Sequence, residues 1–175
     1  MVALLIYLLF TQETMLIDFG QSKENSWSSV NDSVMGGRST GNTNYSDDVL
    51  SFTGSISFQN NGGFASVRSP YTEMDLSDYS EVTIRYRCEG QSLNFGLQYY
   101  REWYKPNYKI ILPATDMKWK TVSLRMDEFK EYRIGRPTGS LIPKEVLNRI
   151  LRFSIMTNDK KEGPFQAEID YIRFE

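Results

Sequence analysis

Histidine is absent from the chain, and cysteine occurs once, at Cys88. The first absence removes imidazole proton shuttles, histidine-based triads and most zinc sites. The second excludes an internal disulfide and any multi-cysteine metal site. An excess of positive charge is also missing: 20 Lys+Arg stand against 22 Asp+Glu, a net charge of −2. That balance offers no electrostatic basis for binding nucleic acid or an acidic membrane, so neither is expected as a partner. Long apolar runs are missing too. The stretch 2–10 is apolar but too short to cross a bilayer, so no transmembrane segment is expected.

What the chain has is aromatic residues, at 14% of 175, and period-two alternation. The length is that of one domain with a full core. Over 81–88, Val82, Ile84, Tyr86 and Cys88 share one side while Thr83, Arg85 and Arg87 share the other. Over 93–100, Leu93, Phe95, Leu97 and Tyr99 face in, with Asn94, Gln98 and Tyr100 out. Tyr108, Ile110 and Leu112 continue the pattern, and Val122, Leu124 and Met126 repeat it. Residues 151–157 and 165–174 read as two closing strands, 127–142 as mostly irregular, and 42–48 as a polar excursion. Pro143 followed by Val146, Leu147 and Ile150 predicts a short helix. Many short strands and one or two short helices predict an all-β fold, a sandwich or jelly roll. Cys88 lies on an apolar strand side and reads as a small buried hydrophobe.

The stretch 27–68 carries the densest local signals. Gly36-Gly37 and Gly62-Gly63 allow positive φ, and Asn31-Asp32 and Asn60-Asn61 just upstream favour turns. Between them Leu50, Phe52, Ile56 and Phe58 alternate with serine and threonine, a half-buried strand. Gly54 falls on its apolar side, which predicts a bulge or a close backbone approach. The turn cluster reads first as architecture that packs Trp27 and Met35 into the core, and second as a ligand-reading loop.

Trp27, Val30-Asn31-Asp32, Val34-Met35-Gly36-Gly37 and Ser39 resemble the W-x-x-V-N-D-x-V-M-G-G-x-S signature of the complex I intermediate-associated protein 30 family. The likeness continues through Phe52-Thr53-Gly54 and Asn61-Gly62-Gly63-Phe64-Ala65-Ser66-Val67-Arg68. It returns at Arg85-Tyr86-Arg87, Trp119, Gly163-Pro164-Phe165 and Glu168-Ile169-Asp170. It covers residues 16–175, expected to be a single domain, with 1–15 as an extension. The resemblance implies a jelly-roll β-sandwich of the galactose-binding-domain type and a non-enzymatic role as assembly factor or chaperone for respiratory complex I (NADH:ubiquinone oxidoreductase) or a related complex. Its subunits would then be the protein partners. Members often carry Gly-Asp-Gly after the Arg-x-Arg strand; here the turn is Cys88-Glu89-Gly90, and no Arg-rich amphipathic start precedes the domain. The expected place is the cytoplasm or the inner-membrane periphery of a bacterium, with export if residues 1–14 act as a signal. That segment lacks a basic n-region and a small-residue cleavage site. A start at Met15 and an extra packed segment are the other readings.

The polar strand sides supply a candidate binding face. Arg85, Arg87, Asn94, Gln98, Tyr100, Lys109 and Arg125 would share one side if their strands are neighbours, flanked by Trp103 and Tyr104. Tyr, Trp and Arg are the residues of protein-binding hot spots. The same set would suit a carbohydrate-binding module of the galactose-binding-like class, the alternative function, with a glycan as ligand. No carboxylate pair stands in an active-site context, so catalysis is not expected. No cofactor is expected beyond a structural calcium ion, for which Asp18 and Asp170 on the terminal strands are the candidate ligands.

Overall fold

The computed structural model describes residues 14–20, 27–46 and 48–175. Residues 1–13, which make up most of the segment read as a signal or an extra segment, lie outside the described residues, as do 21–26 and 47.

Among the described residues, thirteen strands form two antiparallel sheets. In chain order they are β1 (Met15–Asp18), β2 (Ser28–Asn31), β3 (Thr40–Ser46), β4 (Val49–Ile56), β5 (Ala65–Arg68), β6 (Glu81–Glu89) and β7 (Leu93–Gln98). Then come β8 (Asn107–Leu112), β9 (Lys120–Arg125), β10 (Lys130–Arg133), β11 (Arg136–Leu141), β12 (Arg152–Thr157) and β13 (Gly163–Phe174). The first sheet runs β3-β4-β13-β6-β9, with β1 added beside β13; the second runs β11-β10-β8-β7-β12-β5-β2. The expected all-β jelly-roll sandwich is what forms.

The core is the apolar side of each alternating strand. Leu50 and Phe52 of β4, Ile84 and Tyr86 of β6, and Ile169 and Phe174 of β13 face Phe95 of β7 and Phe153 of β12, all fully buried or nearly so. Phe153 stacks on Phe174 at 5.2 Å, and Phe52 meets Phe165 at 4.9 Å. Burying each such ring stabilises the fold by about 1.5–3 kcal/mol.

Strand β13 holds the first sheet together. Residues 163–169 pair with β4, and 171–174 pair with β1. Its other edge pairs with β6 from Gln166 to Phe174, with a register break between Ile169 and Tyr171. Phe165, Ala167 and Ile169 point inward, and so do Ile172 and Phe174. The two alternations are out of phase by one residue. The bulge at Asp170 absorbs the difference, since an extra residue restores the inward face.

Four local expectations need correction. The polar excursion at 42–48 is mostly β3, paired residue for residue with β4. The irregular 127–142 contains the β10–β11 hairpin; β11 is exposed throughout, so no alternation marks it. The helix after Pro143 is a 3-10 turn, Lys144–Arg149, one of four such short segments among the described residues. Phe58 leaves the core and stands exposed, because β4 ends at Ile56 and a 3-10 turn (Gln59–Asn61) follows.

Candidate binding site

The signature cluster is built around one carboxylate. Asp32 opens a 3-10 turn, Asp32–Met35, and is 2% exposed. It accepts the backbone N–H of Ser39 at 2.9 Å, of Gly63 at 2.6 Å and of Phe64 at 3.2 Å. Burial by itself would raise its pKa, but the hydrogen bonds from Ser39, Gly63 and Phe64 outweigh burial and hold the carboxyl below its usual value. Gly37 and Gly62 back directly onto this carboxylate; a Cβ at Gly62 would lie 2.6 Å from Asp32 Oδ2. Asn31 donates to the Gly41 carbonyl, and the Ser39 hydroxyl donates to the Ser57 carbonyl. Trp27 is buried edge-on to Phe19 at 5.4 Å. Gly36 and Asn61 take positive φ in their turns. Met35 departs from expectation: it is 77% exposed, beside an exposed Val34, because the turn anchors Asp32 inward and throws the next side chains out. Arg68, the last signature residue, ends β5 and reaches the outer face of the second sheet.

The single binding face expected from alternation does not exist. Arg85, Arg87 and Arg125 belong to the first sheet, whereas Asn94, Gln98 and Lys109 belong to the second, so the two groups lie on opposite outer sides of the sandwich. Alternation reports which side a residue takes, not which strands are neighbours.

On the first sheet the arginines are paired with carboxylates. Arg85 pairs with Asp170, and Arg87 with Glu168 at 2.5 Å; both guanidinium groups lie over the Trp119 ring, at 4.5 and 4.7 Å. Arg125 pairs with Asp127, and Arg173 with Glu175. The carboxylate of Asp170 is therefore engaged by Arg85, and Asp18 accepts the Gly20 N–H at 2.9 Å. Among the described residues no group of three or more Cys, Asp or Glu is arranged to hold a metal ion.

The second sheet is different. Arg68, Ser154, Gly96 and Lys109 are in register across β5, β12, β7 and β8. The two middle positions are small: a Cβ at Gly96 would sit 2.5 Å from Ser154 Oγ. They form the floor of a groove of about 120 Å³ between the two cations. The loop 99–106 roofs it with Tyr100, Trp103 and Lys105, and Gln98 tethers that loop by donating to the Tyr100 carbonyl at 2.6 Å. Trp103 is 71% exposed and meets Tyr104 edge-on. Asn94 lies further along β7, donating to Asn158 at 2.8 Å.

Burial lowers the pKa of Lys109, and the charge of Arg68 lowers it further. Burial likewise lowers that of Arg68, with Arg152 adding repulsion. Among the described residues neither has a carboxylate within ion-pair distance. Arg152 and Arg101 both lie over Tyr71, at 3.8 and 4.5 Å, and Lys109 lies 5.2 Å from the Tyr132 ring. Tyr71, Arg152 and Lys105 were not singled out from sequence. The alternation in 151–157 could have placed Arg152, Ser154 and Met156 together on the outer face. A larger cleft of about 620 Å³ opens elsewhere, beside Tyr79, Glu81, Arg125 and Lys144, with both charge signs on its walls.

Two packed antiparallel sheets, with a groove on one outer face, define a jelly-roll β-sandwich of the galactose-binding-like fold. Residues 17–169 match the complex I intermediate-associated protein 30 family, and the chain belongs to that family. No curated protein sequence matches the chain. Among solved structures, the chain resembles a family 11 carbohydrate-binding module from Clostridium thermocellum, in complex with a β-1,3-1,4-mixed-linked tetrasaccharide. The TM-score is 0.65 at 14% identity, covering 92% of this chain and 94% of that one. It also resembles a family 29 carbohydrate-binding module, with TM-score 0.54 at 9% identity, covering 93% of this chain and 85% of that one. Identities this low speak to fold alone. Among the described residues no helix is long and apolar enough to cross a membrane.

Proposed function

We propose that this chain is a non-catalytic binding domain that holds another protein on the outer face of its second sheet. Following its family, the partner is a subunit of respiratory complex I or of a related complex during assembly. In a bacterium this puts it in the cytoplasm or at the inner-membrane periphery. The observation that carries the reading is the groove between Arg68 and Lys109, where half-buried cations, without carboxylate partners among the described residues, share the walls with Tyr100 and Trp103. Arginine and exposed aromatic rings concentrate binding energy at protein interfaces. The test is affinity capture of the tagged chain from its own cells at native expression, with mass spectrometry. Recovery of complex I subunits, lost on Arg68→Glu, supports the reading. A glycan is the second reading, favoured by the open ring of Trp103. It would replace the first if no subunit is recovered and saturable glycan binding is lost on Trp103→Ala or Tyr100→Ala.

A further inference from the structure

The two outer faces of the sandwich handle charge in opposite ways. The four ion pairs of the described residues lie on the first-sheet side, between Arg85 and Asp170, Arg87 and Glu168, Arg125 and Asp127, and Arg173 and Glu175. On the second sheet, Arg68, Arg101, Lys105, Lys109 and Arg152 stand without a carboxylate at ion-pair distance among the described residues. Glu102 is the acidic residue on the groove wall, and it pairs with none of them. Burying a cation without a counter-charge is costly. Two cations facing each other across a floor of Gly96 and Ser154 add repulsion to that cost. A fold that balances its charges on one side and leaves them unbalanced on the other is ready to receive negative charge on the second.

The rings on this face narrow the class of occupant. Tyr71 carries two guanidinium groups, Tyr132 carries Lys109, Tyr100 and Tyr104 share Lys105, and Tyr99 carries Arg149. Their π-faces are engaged by cations, which leaves few platforms for stacking a sugar. The groove, at about 120 Å³, is also well below the roughly 300 Å³ at which small-molecule pockets begin. It has room for the end of one side chain rather than for a pyranose ring.

We infer that the groove receives a glutamate or aspartate side chain from an acidic segment of the partner protein, its carboxylate held between Arg68 and Lys109. The inference rests on the protein-binding reading above and specifies its chemistry. The carboxylate supplies the missing counter-charge, accepting from the guanidinium on one side and the ammonium on the other. The flanking cations of Arg101, Lys105 and Arg152 extend the favourable field along the segment, so association is fast at low salt and weakens as salt rises.

The test uses the isotope-labelled full chain and three probes: a capped Gly-Glu-Glu-Gly peptide, its Gly-Gln-Gln-Gly counterpart, and an oligogalacturonate. Amide resonances of Gly96, Lys109 and Ser154 report the floor, and the Lys109 ammonium is titrated directly. The glutamate peptide is expected to shift these amides and to raise the Lys109 titration midpoint. The glutamine peptide binds at least tenfold more weakly, and Arg68→Met and Lys109→Met each lose at least tenfold. If a variant does not fold, the peptide-dependent shift of the Lys109 midpoint in the native chain carries the decision. Equal binding of the two peptides, or shifts away from the groove, overturns the inference. So does binding of the oligogalacturonate without the glutamate peptide, which makes the carboxylate a sugar acid. Capture of complex I subunits equally by the native chain and by Arg68→Glu keeps the assembly reading and removes this one. Peptide binding at the groove without any captured subunit does the reverse.

Discussion

Asp32 and Gly63 are joined by a 2.6 Å hydrogen bond from the glycine N–H to the carboxylate, across 31 positions of chain. Through it the turn after β2 and the turn before β5 become one unit, with Ser39 and Phe64 donating to the same group. Replacing Asp32 by Ala strands three donors in a buried place and is expected to cost about 3 kcal/mol or more, read by urea denaturation. The pH dependence follows from the depressed folded pKa. The contribution is fully present above the unfolded value of about 3.9 and is lost as pH falls through it toward the folded value. Asp32→Asn should therefore flatten the acid limb of the stability profile. An acid limb that is unchanged in Asp32→Asn would show that other carboxylates set it.

Gly54 sits opposite Gly41, and a Cβ on it would collide with the Thr40 carbonyl. A backbone neighbour cannot swing aside as a side chain can. Gly54→Ala is expected to lower stability by about 1–3 kcal/mol and to push β3 away from β4. Faster amide exchange confined to β3 and β4 is the signature to look for.

Arg87 and Glu168 are partly buried cross-strand partners on β6 and β13. A double-mutant cycle with Arg87→Met and Glu168→Gln should give a coupling of about 1 kcal/mol. Emission from Trp119, which lies under the Arg87 guanidinium, should change with Arg87→Met. It should not change with Arg173→Met, which removes the ion pair to Glu175 instead.

Cys88 is fully buried, and burial pushes its thiol up to about 11. The thiolate is the reactive form, so the native thiol is expected to resist a disulfide reagent at pH 8 and to react at once in denaturant. Rapid labelling of the native chain would place the thiol in an opening that the packed sandwich does not show.

The inward sides of β6 and β7 were plain in the sequence, because Val82, Ile84 and Tyr86, and then Leu93, Phe95 and Leu97, alternate without a break. Sheet membership was not, since β6 and β7 adjoin in sequence yet join different sheets. That one turn at Glu89-Gly90 divided the expected binding face. Arg68 stands in a turn signature and Lys109 on a polar strand side, and no local pattern joins them. Their meeting depends on β12 entering between β5 and β7, a pairing set by distant core residues. Met35 is exposed for a local reason: hydrophobicity predicts burial, while the turn geometry around Asp32 decides direction.

Strand β13 lies between β4 and β6, with β1 on the same edge as β4. The ribosome therefore delivers every other strand of the first sheet before the one that joins them. Until residues 163–174 leave the exit tunnel, β4 and β6 each expose an edge with no partner, and the first sheet is two separate pairs, β3-β4 and β6-β9, that only incompletely cover the apolar side of the second. Such a nascent chain has to be shielded or kept open during synthesis, and it closes in a late, cooperative step when its central seam arrives.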